Sequence, residues 1–191
     1  MPATPAWPEL GPQGQAGAAN SEIRLVPAIE TPGLLAAVAD VAGQTFTRPP
    51  WAEPREAARA IAERLANDAL KPGFTLAVAL RGDQVHGFAY GVRCSRLALL
   101  ASQMPCGDIT LRELAVLPAQ RGRGLGMRLH DTLLSASPEA SWWLSTHPQA
   151  SAALGLYRRR GWRVAALLNA DHQFRLIMLR AAPGGSHGRA A

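Results

Sequence analysis

Hydrophobic positions along this chain recur at two periods, and the switches between them mark its elements. Glu22 to Ala28 alternates, with Ile23, Leu25 and Pro27 on one side, which predicts a first strand. Thr31 and Pro32 make a cap-and-start pair for a helix reaching about Phe46. The segment Thr47 to Trp51, TRPPW, breaks it. Glu53 to Leu70 returns to helical spacing, with Ala57, Ile61, Leu65 and Ala69 along one stripe, and Lys71-Pro72-Gly73 stops it. Phe74 to Leu80 and Val85 to Cys94 predict a hairpin joined at Arg81-Gly82-Asp83-Gln84. Arg96 to Gly107 shows neither period and is expected to be an irregular connection. Ile109 to Leu117 is strand-like and ends at Pro118. Leu125, Leu129, Leu133 and Leu134 then recur at helical spacing. Ser141 to His147 predicts another strand and Tyr157 falls on a short helix. Val164 to Leu168 and Phe174 to Leu179 are the expected closing strands. The pattern places one domain at 21–181. The Pro-, Ala- and Gly-rich residues 1–20 are expected to be a disordered leader, and 182–191 a flexible tail.

Composition narrows this little. The 191 residues suit one domain with a sizeable core. A formal charge of +6 raises the question of nucleic acid. The basic residues are nearly all arginines and scattered, with no run longer than Arg158 to Arg160, so no nucleic-acid partner is expected. The charge also suits a ligand carrying several phosphates. Cys94 and Cys106 give neither a disulfide framework nor zinc spacing, and His86, His130 and His172 have no metal-like spacing. No metal is expected. Without a recognisable signal peptide or a membrane-length apolar run, a cytoplasmic setting is expected.

The chemistry concentrates in Arg121-Gly122-Arg123-Gly124-Leu125-Gly126, between a strand and a helix. A helix opening on glycines presents unpaired N–H groups at the end its dipole makes attractive to anions. This reads as a phosphate cradle. A Walker loop needs Lys followed by Ser or Thr, whereas Met127 and Arg128 follow here, and that reading is rejected. A dinucleotide turn needs G-x-G-x-x-G and an acid about 20 residues on. The spacing here is G-x-G-x-G, and the next strand carries no acid. The plainest alternative is that these glycines only let the helix pack closely on the sheet.

The third ligand reading is a resemblance. Arg121, Gly124 and Gly126 match the Q/R-x-x-G-x-G/A pyrophosphate loop of the GNAT (GCN5-related) N-acetyltransferases, and the preceding Val116-Leu117-Pro118 is similar to that family as well. A second segment resembles its A-x-x-L-Y helix: Ala153, Leu154, Gly155, Leu156 and Tyr157, then Arg158 to Arg160, Gly161 and Trp162. Many relatives keep an Asn where this chain has Ala150. The resemblance spans about Glu22 to Arg180. It implies an α/β (α+β) fold with a central mixed, mostly antiparallel sheet flanked by helices. It also implies acetyl-CoA as co-substrate and direct transfer to an amine in a ternary complex. A catalytically silent acyl-CoA-binding module of the same fold is the alternative.

Residue roles follow from the same resemblance. The backbone of Arg121, Gly122, Arg123, Gly124, Leu125, Gly126 and Met127 is expected to wrap the pyrophosphate. The backbone of Leu114, Ala115 and Val116 is expected to pair with the pantetheine arm, the N–H near Val116 facing the thioester carbonyl. Tyr157 matches the family's acid for the leaving thiolate. Glu113 lies where many relatives keep an acid, and is the first candidate base. His147 and a water-only route stay open, and Thr110 cannot act as a base alone. One or more of Arg158 to Arg160 reaches the ribose phosphate of CoA, or the trio is a solvated helix face. Acceptor specificity is expected in Phe46 to Glu53, which resembles F-x-x-P-P-W/Y segments of GNAT-like proteins, and in Arg96 to Gly107. Trp142 and Trp143, adjacent on one strand, face opposite sides, one into the core and one toward the cleft. The acceptor is a small-molecule or peptide amine. Assembly is left open, a homodimer included.

Overall fold

The computed structural model describes residues 21–170 and 173–184. The leader, most of the expected tail and His172 lie outside them. Seven strands form one sheet in the order β1-β2-β3-β4-β5-β7-β6. They are β1 (Glu22–Val26), β2 (Thr75–Arg81), β3 (Gln84–Arg93), β4 (Ile109–Val116), β5 (Trp142–Thr146), β6 (Arg163–Ala170) and β7 (Gln173–Arg180). Every pairing is antiparallel except β4 with β5. The helices are α1 (Leu35–Phe46), α2 (Arg55–Asp68), α3 (Arg96–Leu100), α4 (Leu125–Ser135) and α5 (Ser151–Arg159).

Two features of β4 create the working surface. Its register against β3 slips between Tyr90 and Gly91: Tyr90 faces Glu113 while Gly91 faces Leu111, so Arg112 is an extra, bulged residue. Against β5 it makes only two register pairs, Ile109 with Trp142 and Thr110 with Trp143. Beyond Thr110 the two strands part.

Alternation in β2 sorts the core onto two faces. Leu76 and Val78 pack with Val38, Val41 and Phe46 of α1 and with Ile61 and Leu65 of α2. Ala77 and Ala79 face the other way, toward Leu125, Leu129 and Leu133 of α4. The α4 face is built from small residues because the helix sits close. A Cβ on Gly87 would lie 2.7 Å from the Ala115 carbonyl oxygen and 3.0 Å from Leu129 Cδ1. One on Gly91 would lie 2.8 Å from Trp142 Cζ3. Close packing is thus the task of the β3 glycines.

Several sequence expectations need correction. Thr31 does not cap a helix: it is buried in a 3₁₀ segment, Ala28–Leu34, that contains Pro32, and α1 begins only at Leu35. In β1 it is Val26 that is buried, and Leu25 is exposed. On α2 the buried stripe is Ala58, Ile61, Ala62, Leu65 and Asp68, one position off the expected one at both ends. The connection after β3 contains α3, whose Ala98 packs on Trp143 and Ile177. It does not line the cleft. Neither tryptophan reaches the cleft. Trp142 packs with the α4 side and donates to the Ser137 carbonyl at 3.1 Å, while Trp143 donates to Asp108 Oδ1 at 3.0 Å. They do face opposite sides, but each side is covered. No helix among the described residues is long and apolar enough to cross a membrane.

Candidate active site

Where β4 and β5 part, a cleft of about 740 Å³ opens, walled by β4, the α4 loop, α5 and the segment after α1. The loop before α4 brings it a row of donors. Gly122 and Gly124 hold φ of 77° and 73°, a left-handed backbone that side chains resist, and Gly124 is the N-cap residue of α4. No side chain caps this helix. From Gly122 to Met127 no N–H finds a protein acceptor among the described residues, and the next, Arg128, donates to the Gly124 carbonyl at 3.1 Å. Such N–H groups at a positive helix end are complementary to phosphate oxygens.

Arg121 lines the same cleft, its Nε 3.4 Å from the Val116 carbonyl. Burial first, and then the like charge of Arg48, lower the pKa of its guanidinium. A bound anion would offset both. Gly122, Gly124, Leu125, Gly126 and Met127 also line the cleft. Arg123 does not: it is exposed and donates to Gln120 Oε1 at 3.4 Å. Of the trio after Tyr157, Arg159 lines the cleft, Arg160 is held by Asp131 at 2.6 Å, and Arg158 is exposed.

Along β4 the backbone alternates. Leu117 N–H donates to the His86 carbonyl of β3, so Ala115 and Glu113 also turn their backbone groups to β3. Leu114 and Val116 turn theirs to the side β5 has left. Their side chains are cleft residues, whereas Ala115 is buried against α1 and α2 and lines nothing. Ala115 is therefore the expected pantetheine contact that this geometry does not supply. A Cβ at Gly126 would make ordinary contacts with Val116, Leu114 and Leu156 at 3.6–3.7 Å, which ties loop, strand and α5 together.

Glu113 and Tyr157 both face this space. Burial pushes the Glu113 carboxyl up to about 7, against the opposing pull of Arg64, whose Nη2 is 3.1 Å from Glu113 Oε1. Burial, and then the charge of Glu113, raise the Tyr157 phenol well above its usual range. The Tyr157 ring packs on Trp162 and His130, centroids 5.7 and 6.3 Å away. Trp162 Nε1 can only donate, so His130 Nε2 accepts (2.9 Å) and Nδ1–H donates to Asp131 (2.8 Å). Burial lowers the His130 pKa, consistent with that neutral tautomer. His147 does not line the cleft; its Nδ1 accepts the Gln149 N–H at 3.1 Å. Thr110 donates to the Cys94 carbonyl at 2.9 Å and serves the backbone.

Sequence reasoning missed Arg64 and Arg175, which line the cleft beside Glu113 and Glu53. Arg64 is one of several arginines on the polar face of α2, and Arg175 sits in an apolar strand; only the tertiary fold distinguishes them. Among the described residues no group of three or more His, Cys, Asp or Glu is placed to hold a metal ion.

Comparison with known proteins bears on this geometry. Residues 72–164 match the model of the acetyltransferase (GNAT) domain. No curated protein sequence matches the chain. Among solved structures, PaiA N-acetyltransferase from Thermoplasma acidophilum in complex with coenzyme A is similar at 14% identity and TM-score 0.55, covering 84% of this chain and 99% of that one. Aminoglycoside 6'-acetyltransferase type Ii aligns at 18% identity and TM-score 0.62, over 84% and 96% of the two chains. Ribosomal-protein-alanine N-acetyltransferase from Brucella melitensis aligns at 21% and TM-score 0.58, over 84% and 99%. At these identities the structures speak to the fold, and the domain match covers the strand, loop and tyrosine helix that build the cleft. Over residues 72–164, the part that builds the cleft, the chain is similar to the GNAT acetyltransferase domain, and it shares the fold of the GNAT structures.

Proposed function

We propose that this chain is an N-acetyltransferase that moves the acetyl group of acetyl-CoA to a primary amine by direct attack in a ternary complex. The observation that carries it is the run of N–H donors from Gly122 to Met127, opening on the same cleft as Glu113 and Tyr157. The donor set fits a pyrophosphate, with Arg121 and Arg159 adding charge. The open side of Leu114 and Val116 suits the amide-bearing pantetheine arm, and the Val116 N–H suits a developing oxyanion.

Acetyl-CoA supplies the activated acyl group as its thioester. Glu113, ionised above about pH 7, takes the proton from the attacking nitrogen. A C–N bond forms and the C–S bond breaks, its electron pair leaving on sulfur. Tyr157, held protonated by its raised pKa, returns a proton to that sulfur. The balance is an amide and a free thiol, with no oxidant or metal required.

Thermal stability with acetyl-CoA, CoA, NAD and ATP tests the reading. A ligand at about 100 times its Kd adds about 2.7 kcal/mol. The rise is expected with acetyl-CoA and CoA, not with NAD or ATP, and is sharply reduced in Gly124→Val. No rise with acetyl-CoA or CoA would overturn it. Binding without thiol release across an amine screen would favour the silent acyl-CoA-binding module.

A further inference from the structure

The side of the cleft that holds Glu113 carries two carboxylate–guanidinium pairs. Arg64 Nη2 is 3.1 Å from Glu113 Oε1, and Arg175 Nη2 is 3.8 Å from Glu53 Oε1. The carboxylate of Glu113 also feels Glu53 and Arg175, so the four form one electrostatic group. They come from three separate places in the fold, α2, β4 and β7, plus the segment before α2. Beside them the same cleft has an apolar wall, where Phe46 and Trp51 meet edge to face, centroids 5.4 Å apart.

Resting on the acetyltransferase reading above, we propose that the acceptor is a zwitterion of the α-amino-acid type: a primary amine, a carboxylate close to it, and an apolar side group. The amine meets the acids, where its proton must go. The carboxylate meets Arg64 and Arg175, whose planar forks match it in shape as well as charge. The apolar group lies on Phe46 and Trp51.

Charge argues against the other amine classes. Each acid lining the cleft stands against an arginine, so no surplus of negative charge awaits a polycation. An acceptor with several ammonium groups brings like charges against Arg64 and Arg175. A peptide N-terminus replaces the nearby carboxylate by a neutral amide and offers the two guanidiniums no second anion. A zwitterion completes both signs at once.

The experiment measures thiol release with acetyl-CoA and four matched acceptors: phenylalanine, its carboxamide, 2-phenylethylamine and spermidine. Acetyl-CoA binding is measured alongside by calorimetry. The expected result is a kcat/KM for phenylalanine at least about tenfold above the other three, the scale of one charge-assisted hydrogen bond. In Arg175→Met that preference over the carboxamide collapses toward unity through the KM of phenylalanine, while acetyl-CoA affinity is unchanged. A purely structural loss lowers both acceptors together. Preference for the carboxamide, the decarboxylated amine or spermidine overturns the zwitterion and leaves acetyl transfer standing. Acetyl-CoA binding with no turnover of any of the four overturns the zwitterion, and the wider amine screen then decides between acetyl transfer and the silent module. Absence of acetyl-CoA binding overturns both readings.

Discussion

Glu113 is the residue where burial and charge contend most openly. The cleft wall withdraws it from water and raises its pKa, and Arg64 at 3.1 Å only partly offsets that. A carboxyl at about 7 is half ionised where a base for amine chemistry is useful. The expected kcat/KM therefore rises with pH through about 7. In Glu113→Gln that limb disappears, leaving the acceptor amine's own titration, and kcat/KM falls about 10²- to 10⁴-fold. A profile that keeps its limb near 7 in the variant would assign proton removal to water. Linkage fixes the sign for stability as well. A folded-state pKa above the unfolded value means the protonated carboxyl is favoured in the fold. That contribution is complete below the unfolded pKa of 4.5 and is lost as pH rises through about 7. Glu113→Gln should thus gain melting temperature relative to the parent at pH 8, and gain less or nothing at pH 4. Both residues proposed for proton transfer stand in segments that the sequence motifs reach, whereas Arg64 and Arg175, which set the charge around them, do not.

At the level of elements, the glycines divide into those the fold needs and those a ligand needs. Gly91 belongs to the first kind, because a Cβ there meets the Trp142 ring at 2.8 Å and the Thr110 carbonyl at 3.2 Å. Gly91→Ala should cost about 1–3 kcal/mol of stability, read from chemical denaturation. Gly126 belongs to the second. Its Cβ would make only ordinary contacts, and it lies in the first turn of α4. Gly126→Ala should hold or raise stability, by up to about 0.5–1 kcal/mol, so any loss of CoA affinity there reads out ligand approach alone. A marked loss of stability in Gly126→Ala would return the loop to a packing role. This division explains what was legible beforehand. The α4 loop announces itself because its glycines interleave with arginines at a helix start. Gly87 and Gly91 looked like ordinary members of a strand pattern, since their constraint comes from β4, α4 and β5, far away in sequence. The same limit explains α3 and the shifted stripe on α2. Local period gives the existence of most elements, while the burying partner decides which face turns inward. The extra residue at Arg112 and the parting of β4 from β5, which together make the cleft, leave no periodic trace.

Across the whole molecule, the excess of arginine acquires a use. The formal charge is +6, and the cleft lining includes Arg121 and Arg159, with Arg48 close to Arg121. On the proposed function, the several phosphate charges of CoA would be drawn in by a field of this sign before contact, and salt would weaken that draw. Backbone N–H donors act differently: they are neutral, short-range and little affected by salt. The two contributions separate in a titration of CoA affinity from about 0.1 to 1 M salt, over which the screening length falls from roughly 10 to 3 Å. Affinity is expected to drop several-fold, chiefly through a slower association rate, and then to level off. The plateau is the part held by the loop, and it should vanish in Gly124→Val while the salt-sensitive part persists. In Arg121→Gln the slope should shrink and the plateau remain. An affinity that falls without levelling would mean that arginines alone hold the phosphates, and the helix end of α4 would lose the role its unpaired donors suggest.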